Sequence, residues 1–191
     1  MPASVWLQPA GEQRTRLRRL IETLAGAHGT VPFEPHLTVC GADGLDRDAA
    51  AGFVKACGLL PFTVKKREIG VSTEKPFKAV VIEVENTPEL VRFRESLRQM
   101  TDAPPFEPPH ISLLYTIGAD RKRVSWAGDV QKLRAIAADC AAAITDTAFG
   151  LAEPVIVTPE GDWANIKSWR IVRQLWRGSL PAGLSLRGQG R

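Results

Sequence analysis

Pro32-Phe33-Glu34-Pro35-His36-Leu37-Thr38-Val39 returns later in the chain as Pro105-Phe106-Glu107-Pro108-Pro109-His110-Ile111-Ser112-Leu113. Each copy follows a predicted helix and a Pro-rich turn, then enters a strand through a histidine. In each, a small hydroxyl stands two residues beyond that histidine. The chain has 3 histidines, and two of them occupy equivalent places in this repeat. Chance duplication of so rare a residue in so similar a context is a poor explanation, and an internal repeat of this kind speaks for two related halves.

A strand gives the pattern H-x-[TS] a definite meaning. Successive side chains alternate between faces, so His36 and Thr38 share one face, as do His110 and Ser112. Same-face neighbours lie about 6.5–7 Å apart. Leu37, Val39, Ile111 and Leu113 take the opposite, apolar face and set the register. If the two strands lie side by side, two imidazoles and two hydroxyls converge on one cleft. Such a square suits a phosphodiester: the hydroxyls donate to non-bridging oxygens, one histidine takes a proton from water, and the other returns one to the leaving alkoxide. An imidazole pKa of about 6.5 leaves both forms populated near neutrality. Fixed donors would stabilise the crowded transition state, and the scheme needs no metal. The third histidine, His28, stands at a helix end beside Gly29 and reads as a partner for the helix dipole.

Composition bounds the rest. The 191 residues are 44% hydrophobic and 24% charged, with 14 Pro and 16 Gly, which excludes disordered, collagen-like and fibrous classes. No apolar run approaches the roughly 18 residues of a membrane span. The N-terminus lacks the basic and apolar regions of a secretory signal, so a cytoplasmic location is expected. Three cysteines, Cys40, Cys57 and Cys140, show no CxxC spacing, which argues against a disulfide framework or a structural zinc. Nor does any HExxH or Asp/His cluster offer metal ligands. The net charge is +4, but after Asp162 no acidic residue occurs, while Lys167, Arg170, Arg173, Arg177, Arg187 and Arg191 do. The first 162 residues therefore carry 19 basic groups against 21 acidic ones, and the positive excess belongs wholly to the last segment. Arg14, Arg16, Arg18 and Arg19 form a second cluster on the wet face of the first predicted helix. Both clusters suit an anionic substrate, and both equally suit a solvated edge.

Periodicity predicts strands over 3–8, 35–40, 62–70, 77–85, 109–115, 145–157 and 163–176. Helices are expected over 11–27, from Asp46 through Phe53, Val54 and Cys57, from Thr87-Pro88-Glu89 to about Met100, and over 129–143. Gly41-Ala42-Asp43-Gly44 reads as a turn. Residues 178–191 lack periodicity and are expected to be a flexible tail beyond a single two-lobed domain, 1–177.

At these motifs the sequence resembles the 2H phosphoesterase superfamily, defined by two H-x-[TS]-x motifs, and within it the cyclic phosphodiesterase-like branch known from plants and yeast. The supporting stretches are Val5-Trp6-Leu7-Gln8-Pro9, Phe33 through Gly41, Pro109 through Tyr115, and a closing Trp169-Arg170-Ile171-Val172. The resemblance covers residues 4–176. It implies an α+β, bilobal fold: two pseudo-twofold-related lobes of antiparallel sheet with outer helices and a central cleft. It further implies metal-independent opening, without a cofactor, of a ribose cyclic phosphate. The substrate would be a nucleoside 2′,3′-cyclic phosphate, giving a 2′-phosphate, or ADP-ribose 1″,2″-cyclic phosphate. By matching positions His36 and His110 form the acid–base pair, and Thr38 and Ser112 anchor the phosphate. Tyr115 matches a cleft-lining tyrosine, although strict alternation sets it on the wrong face, so a bulge or a strand end is required there. The loop 71–77 matches a lid, with Lys75 and Phe77 as contacts to phosphate and base. The chain lacks the paired cysteines that the plant members carry near that lid, so redox control of it is not expected. Cys40 shares the face of His36 by alternation, yet nothing nearby suggests an activated thiolate. Trp6, Trp126, Trp163 and Trp176 read as packing residues.

Two alternatives stay open. One is an enzyme of RNA ends, a 2′,3′-cyclic phosphodiesterase or 2′-5′ RNA ligase-like protein, which the basic closing segment favours. The other is a non-catalytic nucleotide- or RNA-binding protein that retains the cleft. A monomer without membrane partners is expected in each case.

Overall fold

A computed structural model describes residues 2–43, 45, 48, 50–52, 60–72, 79–98, 107–161 and 163–174. Among the described residues, seven strands and three longer helices follow one another as β1 (Pro2–Pro9), α1 (Gly11–His28), β2 (Leu37–Asp43), β3 (Phe62–Ser72), β4 (Ala79–Val84), α2 (Pro88–Arg98), β5 (His110–Tyr115), α3 (Val130–Ala143), β6 (Ala148–Thr158) and β7 (Arg170–Gln174). A 3₁₀ turn, Ile166–Ser168, precedes β7, where the sequence suggests one longer strand. Residues 48 and 50–52 are helical, while most of the helix expected from Asp46, with Phe53, Val54 and Cys57, lies outside the described residues.

All pairings are antiparallel, in the order β1-β2-β5-β4-β3-β6-β7, and β6 pairs with β1 as well. Six strands thus close on themselves, and β7 adds an edge. The repeat becomes visible in three dimensions. β1–α1–β2 matches β4–α2–β5, and each half borrows its third strand across the molecule: β6 flanks β1, and β3 flanks β4. Where the halves meet, β2 and β5 share a single partner pair, Leu37 with Ile111.

Local chemistry explains the helix ends. Asp129 caps α3 by accepting from the Lys132 amide, and Thr87 accepts from the Leu90 amide at the start of α2. Gly29 closes α1 in the left-handed region at φ 67°. Leu17 and Leu24 of α1, Leu90, Phe93 and Leu97 of α2, and Leu133 and Ile136 of α3 join Leu37, Val39, Ile111 and Leu113 in the main core. Burying such a side chain is worth roughly 1.5–3 kcal/mol, so these residues fix which face of each strand points away from the histidines. The turn expected at Gly41-Ala42-Asp43-Gly44 does not form at its start. β2 runs on to Asp43 because β1 lies alongside it, pairing Ser4 with Gly41 and Ala3 with Ala42. The Ser4 hydroxyl donates to the Cys40 carbonyl at 2.8 Å, and a Cβ on Gly41 would come within 3.3 Å of that hydroxyl oxygen.

Candidate active site

The β2–β5 junction assembles the two motifs. Leu37 faces Ile111 in antiparallel register. One step along each strand from this pair leads to His36 and Ser112 on one side and to Thr38 and His110 on the other. The two imidazoles are near enough for His110 to act electrostatically on His36.

Both motif strands carry a bulge at the same place. Along β1, Val5 pairs with Cys40 and Trp6 with Thr38, leaving Val39 as the extra residue. Along β4, Val80 pairs with Leu114 and Val81 with Ser112, leaving Leu113 extra. A bulge reverses the alternation beyond it. Tyr115 accordingly comes round to the face of Ser112, and its phenol shares a hydrogen bond with that hydroxyl. Burial pushes the phenol up to about 12, an effect the Ser112 bond partly offsets. The same reversal removes Cys40 from the histidine face. It sits in the main core, and burial raises its thiol to about 11, so it is no nucleophile at neutral pH. The doublets Val39-Cys40 and Leu113-Leu114, both apolar just beyond the motif hydroxyl, are the sign of the bulges that the sequence offers.

The histidines are held alike. His36 Nδ1 lies 2.6 Å from the Glu34 carbonyl, and His110 Nδ1 lies 2.8 Å from the Pro108 carbonyl. A carbonyl only accepts, so each Nδ1 carries the proton and donates, which leaves Nε2 of a neutral ring as the basic atom. His36 is buried, and its pKa falls to about 3. Loss of solvation is the main cause, the Glu34 carbonyl opposes it, and nearby His110 adds to it. At neutral pH this ring is uncharged.

Aromatic rings surround His36. Trp6 stacks flat on it, with centroids 3.5 Å apart and planes within 7°. Trp169 and Phe33 approach edge-on at 6.2 and 6.1 Å, and Tyr115 packs on Phe33 at 4.3 Å. The Trp163 carbonyl accepts from the Trp169 indole at 3.0 Å and so orients that ring. A cavity of about 290 Å³ opens beside the group, lined among others by Trp6, Arg18, Phe33, Lys167 and Trp169. The sequence reads Trp6 as plain packing. Its place opposite Thr38 on β1 makes it a wall of the site, legible only once the β1–β2 pairing is known. Gln8, on the same face of β1 by alternation, is also buried, and its side-chain amide has no partner among the described residues.

Other expectations meet mixed outcomes. Three of the four arginines on α1 are engaged rather than free: Arg14 pairs with Glu34 and Glu153, Arg16 with Asp146, and Arg18 with Glu34. Their carboxylate partners come from sequence-distant elements, which is why periodicity leaves them on a wet face. His28 ends α1 and meets Trp126 edge-on at 5.6 Å, with its pKa lowered by burial and by Lys132. Lys75, Phe77, Trp176 and the expected tail 178–191 lie outside the described residues. Among the described residues no group of three or more His, Cys, Asp or Glu is placed to hold a metal ion, and no helix is long and apolar enough to cross a membrane.

The antiparallel sheet closed on itself, with a strand–helix–strand unit repeated in each half, recurs in solved structures. It matches the structure of TT0787 from Thermus thermophilus with a TM-score of 0.54, covering 91% of this chain and 96% of that one at 16% identity. It likewise matches Escherichia coli LigT complexed with NADP+, at a TM-score of 0.51, 13% identity, and coverage of 90% and 94%. At such identities the likeness concerns the fold. A sequence relationship comes from the cyclic phosphodiesterase of Arabidopsis thaliana, 32% identical over 116 residues, which are 59% of this chain. The match spans 64% of the plant protein, less than two thirds of its length. No family model matches the chain. The chain is thus similar in sequence to a cyclic phosphodiesterase and in fold to TT0787 and LigT.

Proposed function

We propose that the protein is a metal-independent phosphodiesterase that opens a ribose cyclic phosphate. The observation that supports this reading is the single β2–β5 pair, Leu37 with Ile111, which is flanked by His36 and Thr38 on one strand and by His110 and Ser112 on the other. His36, uncharged and with Nδ1 already donating, is the general base: its Nε2 takes a proton from the attacking water. As water oxygen bonds to phosphorus, the bond from phosphorus to one ribose oxygen breaks. His110 gives that oxygen a proton through Nε2 and leaves an alcohol and a phosphomonoester. Thr38 and Ser112 donate to the non-bridging oxygens, and Tyr115 orients Ser112. The substrate is a nucleoside 2′,3′-cyclic phosphate, with a 2′-phosphate as product, or ADP-ribose 1″,2″-cyclic phosphate. The likeness to the plant cyclic phosphodiesterase supports this choice. Lys75 and Phe77 belong to the same reading as lid contacts.

A turnover panel tests it: both cyclic substrates, with and without excess EDTA, and with oligoribonucleotides bearing cyclic ends. Turnover should survive EDTA, and His36→Ala and His110→Ala should each abolish it while melting normally. Wild-type rates in either variant would refute the assignment. One observation favours the RNA-end alternative, namely the exposed Lys167 at the cavity rim beside exposed Arg170. Faster turnover of the oligoribonucleotides, with affinity falling steeply as salt rises, would establish that reading instead.

A further inference from the structure

The glutamates of the repeat, Glu34 and Glu107, are not needed by the chemistry above, yet each is gripped by an arginine of the preceding helix. Arg94 of α2 holds Glu107 at 2.7 Å. Arg18 and Arg14 of α1 hold Glu34 at 2.7 and 3.2 Å, and Arg14 also reaches Glu153 of β6. The two halves thus make the same ion pair at equivalent points, although the partner arginines stand at different depths: Arg94 is 6% exposed, Arg14 21% and Arg18 42%. Each glutamate lies in the turn whose carbonyl receives the histidine Nδ1 proton, that of Glu34 itself and that of Pro108, next to Glu107. In both halves the accepting carbonyl stands two residues before the histidine.

We infer that these two arginine–glutamate pairs are positioning latches: each fixes a turn carbonyl against a helix, and the carbonyl in turn fixes the tautomer and direction of one histidine. The inference rests on the acid–base reading of His36 and His110 for its catalytic consequence, but not for its structural one. A free neutral imidazole is not bound to a single tautomer, whereas a ring held by Nδ1–H to a fixed carbonyl presents Nε2 as its basic atom. Small misplacement of a proton-transfer group slows the chemical step far more than it weakens binding. None of these glutamates or arginines touches the reacting atoms in this scheme. They act through the histidines.

The test uses full-length Glu34→Ala and Glu107→Ala. Removing Glu107 alone leaves the buried Arg94 charge without that carboxylate, so the double variant Arg94→Met/Glu107→Gln, which removes both charges, accompanies them. Glu89→Gln, which breaks the exposed Arg92–Glu89 pair on α2, is the control. Two quantities are read: the tautomer of each histidine from long-range ¹H–¹⁵N imidazole spectra, and kcat separately from KM on a 2′,3′-cyclic mononucleotide. Glu34→Ala should mix the tautomers of His36 only, and both Glu107 variants those of His110 only. Each should lower kcat roughly tenfold, with KM within about twofold. Glu89→Gln should change neither. Unaltered tautomers in the folded latch variants would overturn the inference, as would a kcat loss shared by the control. Should the wild type turn over no cyclic phosphate, the spectra still decide the structural claim, so the two failures are distinguishable.

Discussion

For the group proposed as the base, His36 has an unusual setting, because the ring is buried under Trp6 and its pKa falls to about 3. The sign of the pH dependence follows. The unfolded chain binds a proton at about 6.5 and the folded one does not until far lower, so the unfolded state holds more protons between those values. Stability from this group is complete above about pH 6.5. It falls as pH drops toward 3, at up to about 1.4 kcal/mol per unit. Activity should keep a neutral base down to acid pH. Trp6→Ala admits water to the ring and removes the chief cause of the depression. Its His36 pKa should therefore climb back toward the free value, and the acid limb of kcat/KM should move to higher pH with it. Titration of the His36 ring protons by NMR checks both enzymes. An unmoved pKa in Trp6→Ala would mean that the stack is not what shields the ring.

At the scale of elements, β2 and β5 do the positioning, and their matched bulges matter as much as their register. Thr38→Ala and Ser112→Ala should each cost about 1–3 kcal/mol of transition-state stabilisation, the size of a hydrogen bond to a charged group. Tyr115→Phe should cost less, because it frees Ser112 without removing its hydroxyl; steady-state kinetics on one cyclic substrate ranks the three. Much of this is legible in the sequence. The repeat marks both histidines, both hydroxyls and the apolar face of Leu37 and Ile111, and helix signals such as Thr87-Pro88 stand where the caps fall. What escapes is pairwise. Alternation counts residues and is blind to an inserted one, so it puts Cys40 with the histidines and makes Tyr115 an exception. Turn chemistry at Gly41-Ala42-Asp43 gives way to pairing with β1. The partners of Arg14 and Arg16 at Glu153 and Asp146 arrive from far along the chain.

Across the whole molecule the exchange of third strands, β6 to β1 and β3 to β4, makes the halves interdependent while each keeps one motif. Under the proposed roles of His36 and His110, a site divided in this way holds one reaction centre served by two proton-transfer groups. Groups that act as one unit lose their effects together: once the base is gone, the acid has little left to assist. His36→Ala/His110→Ala should therefore turn over about as slowly as the worse single variant, far above the product of the two separate losses. Thr38→Ala added to the double variant should still lower the remaining rate, because phosphate anchoring persists without proton transfer. The measurement is single-turnover kinetics on a 2′,3′-cyclic mononucleotide at enzyme excess. Strictly multiplicative losses for the two histidines would mean that they serve separate steps, and the shared centre at the β2–β5 junction would have to be given up.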